Sequence, residues 1–197
     1  MAGKGLIVVI SAPSGGGKST VIREIMKSGD SRYAYSISTT TRVKRENEVD
    51  GRDYVFVSED AFNKSIETGE FLEWAIVHGN YYGTSKKLVD AMLEDDKIIL
   101  LDIDVQGGLE VKSHYREKAL LIFVMPPSLE ELEARLRNRK TDDEREIAKR
   151  LAAVPTEIEC SSYYDHIVVN KVLSSTVDEV AGLIDKRYDA MMNLEDE

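Results

Sequence analysis

The chain has 197 residues, enough for one domain with inserted subdomains, and at 42% hydrophobic and 31% charged it can bury a core and carry long amphipathic helices. A formal net charge of −10 argues against a broad basic face for DNA or RNA and leaves small anions, held by locally gathered cations, as the charged partners it can bind. No apolar run approaches the ~18 residues of a membrane span, Cys160 is the single cysteine and has no disulfide partner in the chain, and the N-terminus runs into an apolar strand with no signal peptide, so a cytoplasmic protein away from membranes is expected.

The first predicted element is a strand at Leu6–Ile10, an apolar run without polar alternation, as in a strand buried on both faces. Behind it stand Ala12, Pro13, Ser14, Gly15, Gly16, Gly17, Lys18, Ser19 and Thr20. This reads as strand, glycine-rich turn and helix start. A turn of this kind aims backbone N–H groups at a polyphosphate, Lys18 reaches the β/γ-phosphates, and Ser19 holds Mg²⁺. The helix beginning near Lys18 adds its positive end. Ala12 stands where the usual pattern has its first glycine, while Gly15, Gly16 and Gly17 carry the tight part. A flexible surface loop accounts for the glycines but not for the Lys-Ser pair behind a strand.

Residues 37–92 break the α/β rhythm. They hold turn signals (Asp50-Gly51, Gly79-Asn80), short aromatic strands at Tyr54–Val57 and Phe71–Ala75, and a short helix around Phe62 and Ile66. The segment reads as a small mixed α+β insertion. At its entrance, Ser36, Ser38, Arg42 and Arg45 gather hydroxyls and guanidinium forks suited to phosphate oxygens. Glu73 lies within an apolar strand, where a carboxylate is costly to bury unpaired, so it meets a protein cation or awaits N–H donors from a ligand. Gly79–Thr84 offers the phenols of Tyr81 and Tyr82 and the Thr84 hydroxyl in a tight turn.

Further strands are expected at Ile98–Leu101, Leu120–Val124 and Ile167–Val169. Asp102 closes the first of them and Asp104 follows. Ligands sit beyond the carboxyl ends of strands in open parallel sheets. There Asp102 holds Mg²⁺ through water, binds a substrate hydroxyl or amine, or merely caps the next turn. Helices are expected on Leu129, Leu132 and Leu136, capped by Ser128 with Glu131, and on Val177, Val180, Ile184 and Tyr188, capped by Thr176 with Glu179. Between them, residues 135–155 form a charged helical stretch carrying Arg135, Arg137, Arg139, Arg145 and Arg150. It reads as a solvated face or, more sharply, as a mobile cover over a phosphate site. Cys160 reads as a packing residue, and His78, His114 and His166 fit no catalytic pattern.

Taken in order, these motifs resemble guanylate kinase from about residue 5 to 185: the phosphate loop, Ser38–Arg42, Asp50–Phe56, Phe71–Ala75, Gly79–Thr84, Leu101–Gly107 and the arginine-rich cover. The resemblance implies a single α/β domain with a nucleoside-kinase core of parallel sheet flanked by helices (1–36, 93–134 and 156–197), a GMP-binding insertion (37–92) and a short helical lid (135–155). It implies Mg²⁺-dependent transfer of the ATP γ-phosphate to GMP, in purine nucleotide metabolism. ATP would lie on residues 12–20 with Arg139 and Asn170. Arg42, Arg45, Tyr54 and Tyr82 would hold the GMP phosphate, and Ser38, Glu73, Thr84 and Asp102 would surround the guanine. Lys18, Arg42, Arg135, Arg139 and Arg150 would serve the transferred phosphate, and Mg²⁺ would sit on Ser19 with Asp102 or Asp104 through water. Thr84 is often Ser in the family, and Lys140 stands where the family often has Gly.

Guanine shows donors at N1 and the exocyclic amine, so a carboxylate at Glu73 suits it and opposes adenine. Two rivals share the fold. Scaffold modules that bind phosphorylated peptides tend to lack an intact phosphate loop, whereas Lys18 and Ser19 are kept here. A kinase for another acceptor would not need Glu73. The sequence does not announce an oligomeric state.

Overall fold

The computed structural model describes residues 4–77, 79–138 and 144–193. The β-branched run Ile7, Val8, Val9 and Ile10 favours an extended backbone, and β1 (Leu6–Ser11) forms there with every residue buried. In chain order follow α1 (Lys18–Met26), β2 (Tyr33–Tyr35), β3 (Thr39–Thr40), β4 (Val55–Phe56), α2 (Glu59–Glu67), β5 (Phe71–Val77), β6 (Asn80–Ser85) and α3 (Lys86–Glu94). Then come β7 (Ile98–Asp102), α4 (Val105–Tyr115), β8 (Ala119–Met125), α5 (Leu129–Asn138), α6 (Glu144–Cys160), β9 (His166–Val169) and α7 (Leu173–Asn193).

Five strands form a parallel sheet in the order β2-β7-β1-β8-β9. Side chains alternate across it. Leu6, Val8 and Ile10 face α1 and α7 through Val21, Ile22, Val180 and Ile184. Ile7 and Val9 face the other layer, through Val89, Val111 and Tyr164. Each fully buried aliphatic contributes about 1.5–3 kcal/mol. The expected α/β class is therefore the observed one. Strand order reverses at β1, so a crevice opens at the carboxyl ends of β1 and β7, where Ile10 lies level with Asp102.

The insertion is a second sheet in the order β4-β3-β6-β5, with β3–β4 parallel and the other pairs antiparallel. Phe62 of α2 anchors it, stacked on Phe71 at 4.4 Å and tilted against Tyr81 at 5.2 Å. The register shifts between Phe71 and Glu73. That bulge puts Leu72 and Glu73 both into buried positions, breaking strict alternation.

Several sequence expectations need correction. Residues 80–85 are strand β6, not a tight turn; the turn tightens at Gly79 (φ 77°). Strand β2 was not anticipated. β9 is an edge strand, so Ile167 and Val169 are 48% and 53% exposed and only Val168 is buried. Leu129 stays exposed, and at the start of α5 Ser128 accepts the Glu131 N–H while the Glu131 side chain pairs with Arg135 instead of closing a box. Thr176 does not cap α7. The helix begins at Leu173, and Thr176 is buried within it, its one hydroxyl proton shared between the Val172 carbonyl and Asn170 Oδ1. Cys160 packs half-buried against the layer containing Tyr164. Residues 144–160 form one continuous helix, with Ile147 and Val154 as its buried anchors. Among the described residues, no helix is long and apolar enough to cross a membrane.

Candidate active site

The loop between β1 and α1 is shaped by two glycines in left-handed conformation, Gly15 at φ 90° and Gly17 at φ 101°. Both need glycine for that reason. The Gly16 N–H closes a turn on the Pro13 carbonyl at 2.7 Å. Behind the loop, Asn170 is buried at the end of β9. Its Nδ2 donates to the Gly16 carbonyl at 2.9 Å, its Oδ1 accepts from Thr176 at 3.3 Å, and its own N–H reaches the Met125 carbonyl. A Cβ on Gly17 would collide with that amide. Asn170 is thus a brace under the loop and does not line the cleft in front of it.

That cleft, of about 290 Å³, runs from the loop to the inserted sheet. Lys18 enters it from the first turn of α1 and pairs with Asp102 at the end of β7. Burial is the largest influence and works against the Lys18 charge, but its neighbours together, Asp102 first, hold Lys18 above its ordinary value. The alternative in which Asp102 merely caps the following turn fails. Asp104 does that, its Oδ1 accepting the Gln106 and Gly107 N–H groups at 2.9 Å. Ser19, Thr20 and Asp104 also line the cleft.

At the other end Glu73 is 4% exposed and takes a hydrogen bond from Thr84 Oγ1 at 2.5 Å. Burial pushes its carboxyl up to about 7, against the opposing pull of the Thr84 bond. The charges of Asp104 and Glu110 add to that rise. Thr84 is itself buried behind Glu73. Ser38 lines the same end.

Between the two ends lies the guanidinium cluster. Arg42 donates from Nε to Tyr82 Oη at 3.2 Å and from Nη2 to Glu48 Oε1 at 2.7 Å. It lies over the Tyr54 ring at 5.3 Å. Glu48 Oε2 accepts the Arg45 N–H at 2.8 Å. The Arg42 hydrogen bond holds the Glu48 carboxyl below its usual range, and burial keeps the Tyr54 phenol protonated. From α6, Arg150 donates to Ser14 Oγ at 3.0 Å and Glu157 faces the Ser14 N–H at 3.4 Å. Arg135 of α5 pairs with Glu131 and donates to the Asn170 carbonyl at 3.2 Å. It stands beside the loop but outside the cleft lining. Arg139 and Lys140 lie outside the described residues, as does His78.

The family model for guanylate kinase matches residues 4–187. The chain belongs to the guanylate kinase family. It is 44% identical over 181 residues to a guanylate kinase of Carboxydothermus hydrogenoformans, covering 92% of this chain and 88% of that one. It is 42% identical over 184 residues to that of Bacillus subtilis, covering 93% and 90%. A crystal structure of guanylate kinase from Anaplasma phagocytophilum superposes with a TM-score of 0.79 at 32% identity, covering 95% of this chain and 88% of that chain.

Two acids that bear on this guanylate kinase cleft, Glu48 behind its arginines and Glu157 in its lining, were missed by sequence reasoning. Glu48 orders both Arg42 and Arg45, and its signal was its place three residues beyond Arg45. Glu157 was missed although it lies two helical turns beyond Arg150, on the same face of α6.

Proposed function

We propose that this chain transfers the γ-phosphate of ATP to GMP, giving ADP and GDP, with Mg²⁺ bound alongside the triphosphate. One observation carries the reading. A phosphate loop with its lysine and a buried carboxylate suited to guanine's donors open into the same cleft, with a cluster of guanidinium and phenol groups between them.

ATP lies with its phosphates on the loop of residues 12–20, on the backbone N–H groups of Gly15, Gly17, Lys18 and Ser19 and on the Lys18 ammonium. The acceptor is a GMP phosphate oxygen, which is already anionic, so no general base is required. What the residues must supply is alignment and charge. Arg42, Arg45, Tyr54 and Tyr82 take the GMP phosphate. Arg42 arrives with its direction set by Glu48, Tyr82 and the Tyr54 face. Arg150 approaches over Ser14, and Arg135 and Arg139 complete the lid charges around the transferred group. Asn170 contributes by holding the loop in shape.

Glu73 accepts guanine's N1–H and exocyclic amine, with Ser38 alongside and Thr84 orienting the carboxylate. Asp102 works at the phosphate end through Lys18, and Asp104 lines the same cleft beside it. The donor set near Lys18 is oxygen-only and sparse, Ser19 with Asp102 or Asp104, which suits an ion that keeps most of its ligands from phosphate and water. Mg²⁺ when bound neutralises charge on the triphosphate. The working compartment is the cytoplasm, and the partners are the two nucleotides.

A coupled ADP-release assay with ATP and each monophosphate in turn tests this. Turnover is expected with GMP and far less with AMP or UMP. Lys18→Ala should cost at least ~100-fold in kcat with GMP. Equal turnover of AMP, or an unaffected Lys18→Ala, refutes the reading.

A further inference from the structure

Helix α4 carries two adjacent glycines, Gly107 and Gly108, at its third and fourth positions, in the first turn. Neither has a positive φ, so backbone freedom is not their use. Alanine is the better helix former at both places. The environments differ. A Cβ at Gly107 would lie 2.5 Å from Glu73 Oε2 and 3.0 Å from its Cδ. A Cβ at Gly108 would collide instead with the Tyr164 hydroxyl, which donates to Ser11 Oγ. Glu73 is therefore gripped on two sides. Thr84 holds Oε1 by a hydrogen bond, and the bare Cα edge of Gly107 bounds Oε2. The bulge in β5 has already turned Glu73 toward α4.

We propose that Gly107 is a positioning residue for base selection: its missing side chain sets where the Glu73 carboxylate stands, and hence how strongly the protein separates guanine from a purine without the 2-amine. This rests on the reading of Glu73 as the guanine acceptor. The space is filled by the carboxylate itself, not by a ligand. A methyl group at Gly107 drives the buried acid out of register with Thr84, and an acceptor displaced by a few tenths of an ångström meets N1–H and the exocyclic amine at poorer geometry. The base then gains less from carrying both donors.

The discriminating substrates are GMP and IMP, which share phosphate, ribose, O6 and N1–H and differ in the 2-amine. The ratio of their kcat/KM values should fall about tenfold in Gly107→Ala, with KM for ATP unchanged. Gly108→Ala, one residue along the same helix, should keep the ratio of the unmodified protein. Stability gives a second arm that does not need an active enzyme. Gly107→Ala should lower Tm, or prevent folding, in the presence of Glu73. In a Glu73→Ala background the same change should leave Tm equal or higher, because nothing remains to collide with. An unchanged GMP/IMP ratio in folded Gly107→Ala, or an equal loss of Tm with and without Glu73, overturns the proposal. Glu73→Gln separates the two levels. If it lowers the ratio while Gly107→Ala does not, only the role of Gly107 falls. If it leaves the ratio untouched, the guanine reading falls and this inference with it.

Discussion

Glu73 concentrates the residue-scale chemistry. Its carboxyl titrates near 7 because burial disfavours the anion. Guanine offers donors, so the anion is the form that binds it. KM for GMP should therefore rise as pH falls through about 7 and level off above it. The GMP phosphate also titrates in this range, so the comparison with Glu73→Gln isolates the side chain: the variant should lose the Glu73 component of the profile. The same shift bears on ligand-free stability. The folded pKa lies above the ordinary 4.5, so the folded state holds the extra proton between the two values. Stability then falls as pH rises through that window, and the penalty is complete above about 7. Glu73→Gln, which keeps a partner for Thr84, should raise Tm at pH 8 and do little at pH 4, with a gain of at most about 3 kcal/mol. A thermal melt series across pH checks the sign. Arg42 shows the complementary economy: Glu48, Tyr82 and Tyr54 fix its fork before any phosphate arrives, so less rotamer freedom is lost on binding.

At the scale of elements, the phosphate loop is held from below. The Asn170 amide at the end of β9 grips the Gly16 carbonyl, and Thr176 in α7 grips Asn170. Asn170→Ala should loosen the loop and raise KM for ATP roughly tenfold, the worth of one buried hydrogen bond, while KM for GMP changes little; steady-state kinetics in both substrates reads the difference. This brace was not legible in the sequence, because it joins residues 154 positions apart. The loop itself was legible, since strand, glycines, lysine and helix are contiguous in the chain. So were β1, β7 and β8, whose apolar runs need no partner to be recognised. Strand β2 was hidden because Tyr33–Tyr35 is short and half-buried, and it exists by pairing with β7. Strand β6 was read as a turn because Gly79 and Gly83 punctuate it. Gly83 in fact makes room for Phe71 and Phe62, where a Cβ would approach the Phe71 ring at 2.8 Å. Thr176 has the composition of a cap, and tertiary burial overrides that local preference. Glu73 was visible as an anomaly, an acid in an apolar strand, but the bulge that aims it was not.

Across the whole molecule, an acidic chain of net charge −10 gathers Lys18, Arg42, Arg45 and Arg150 around one cleft. Two anionic nucleotides repel each other in water, so cations from the core, the inserted sheet and α6 must converge on them together. Closure of the insertion and the lid region on the core is the expected consequence, and it also excludes water from the transferred phosphate. Labels at Lys64 in α2 and Ala148 in α6, with Cys160 replaced by Ser, should draw together when ATP and GMP are both bound. An unchanged distance argues against closure. The molecule also carries its own gauge of this event. Trp74, its one tryptophan, is 43% exposed on the strand bearing Glu73, and its ring stands 6.0 Å from that of Tyr81. A single indole on the inserted sheet makes tryptophan fluorescence, excited to the red of the tyrosine band, a label-free signal of acceptor-site occupancy.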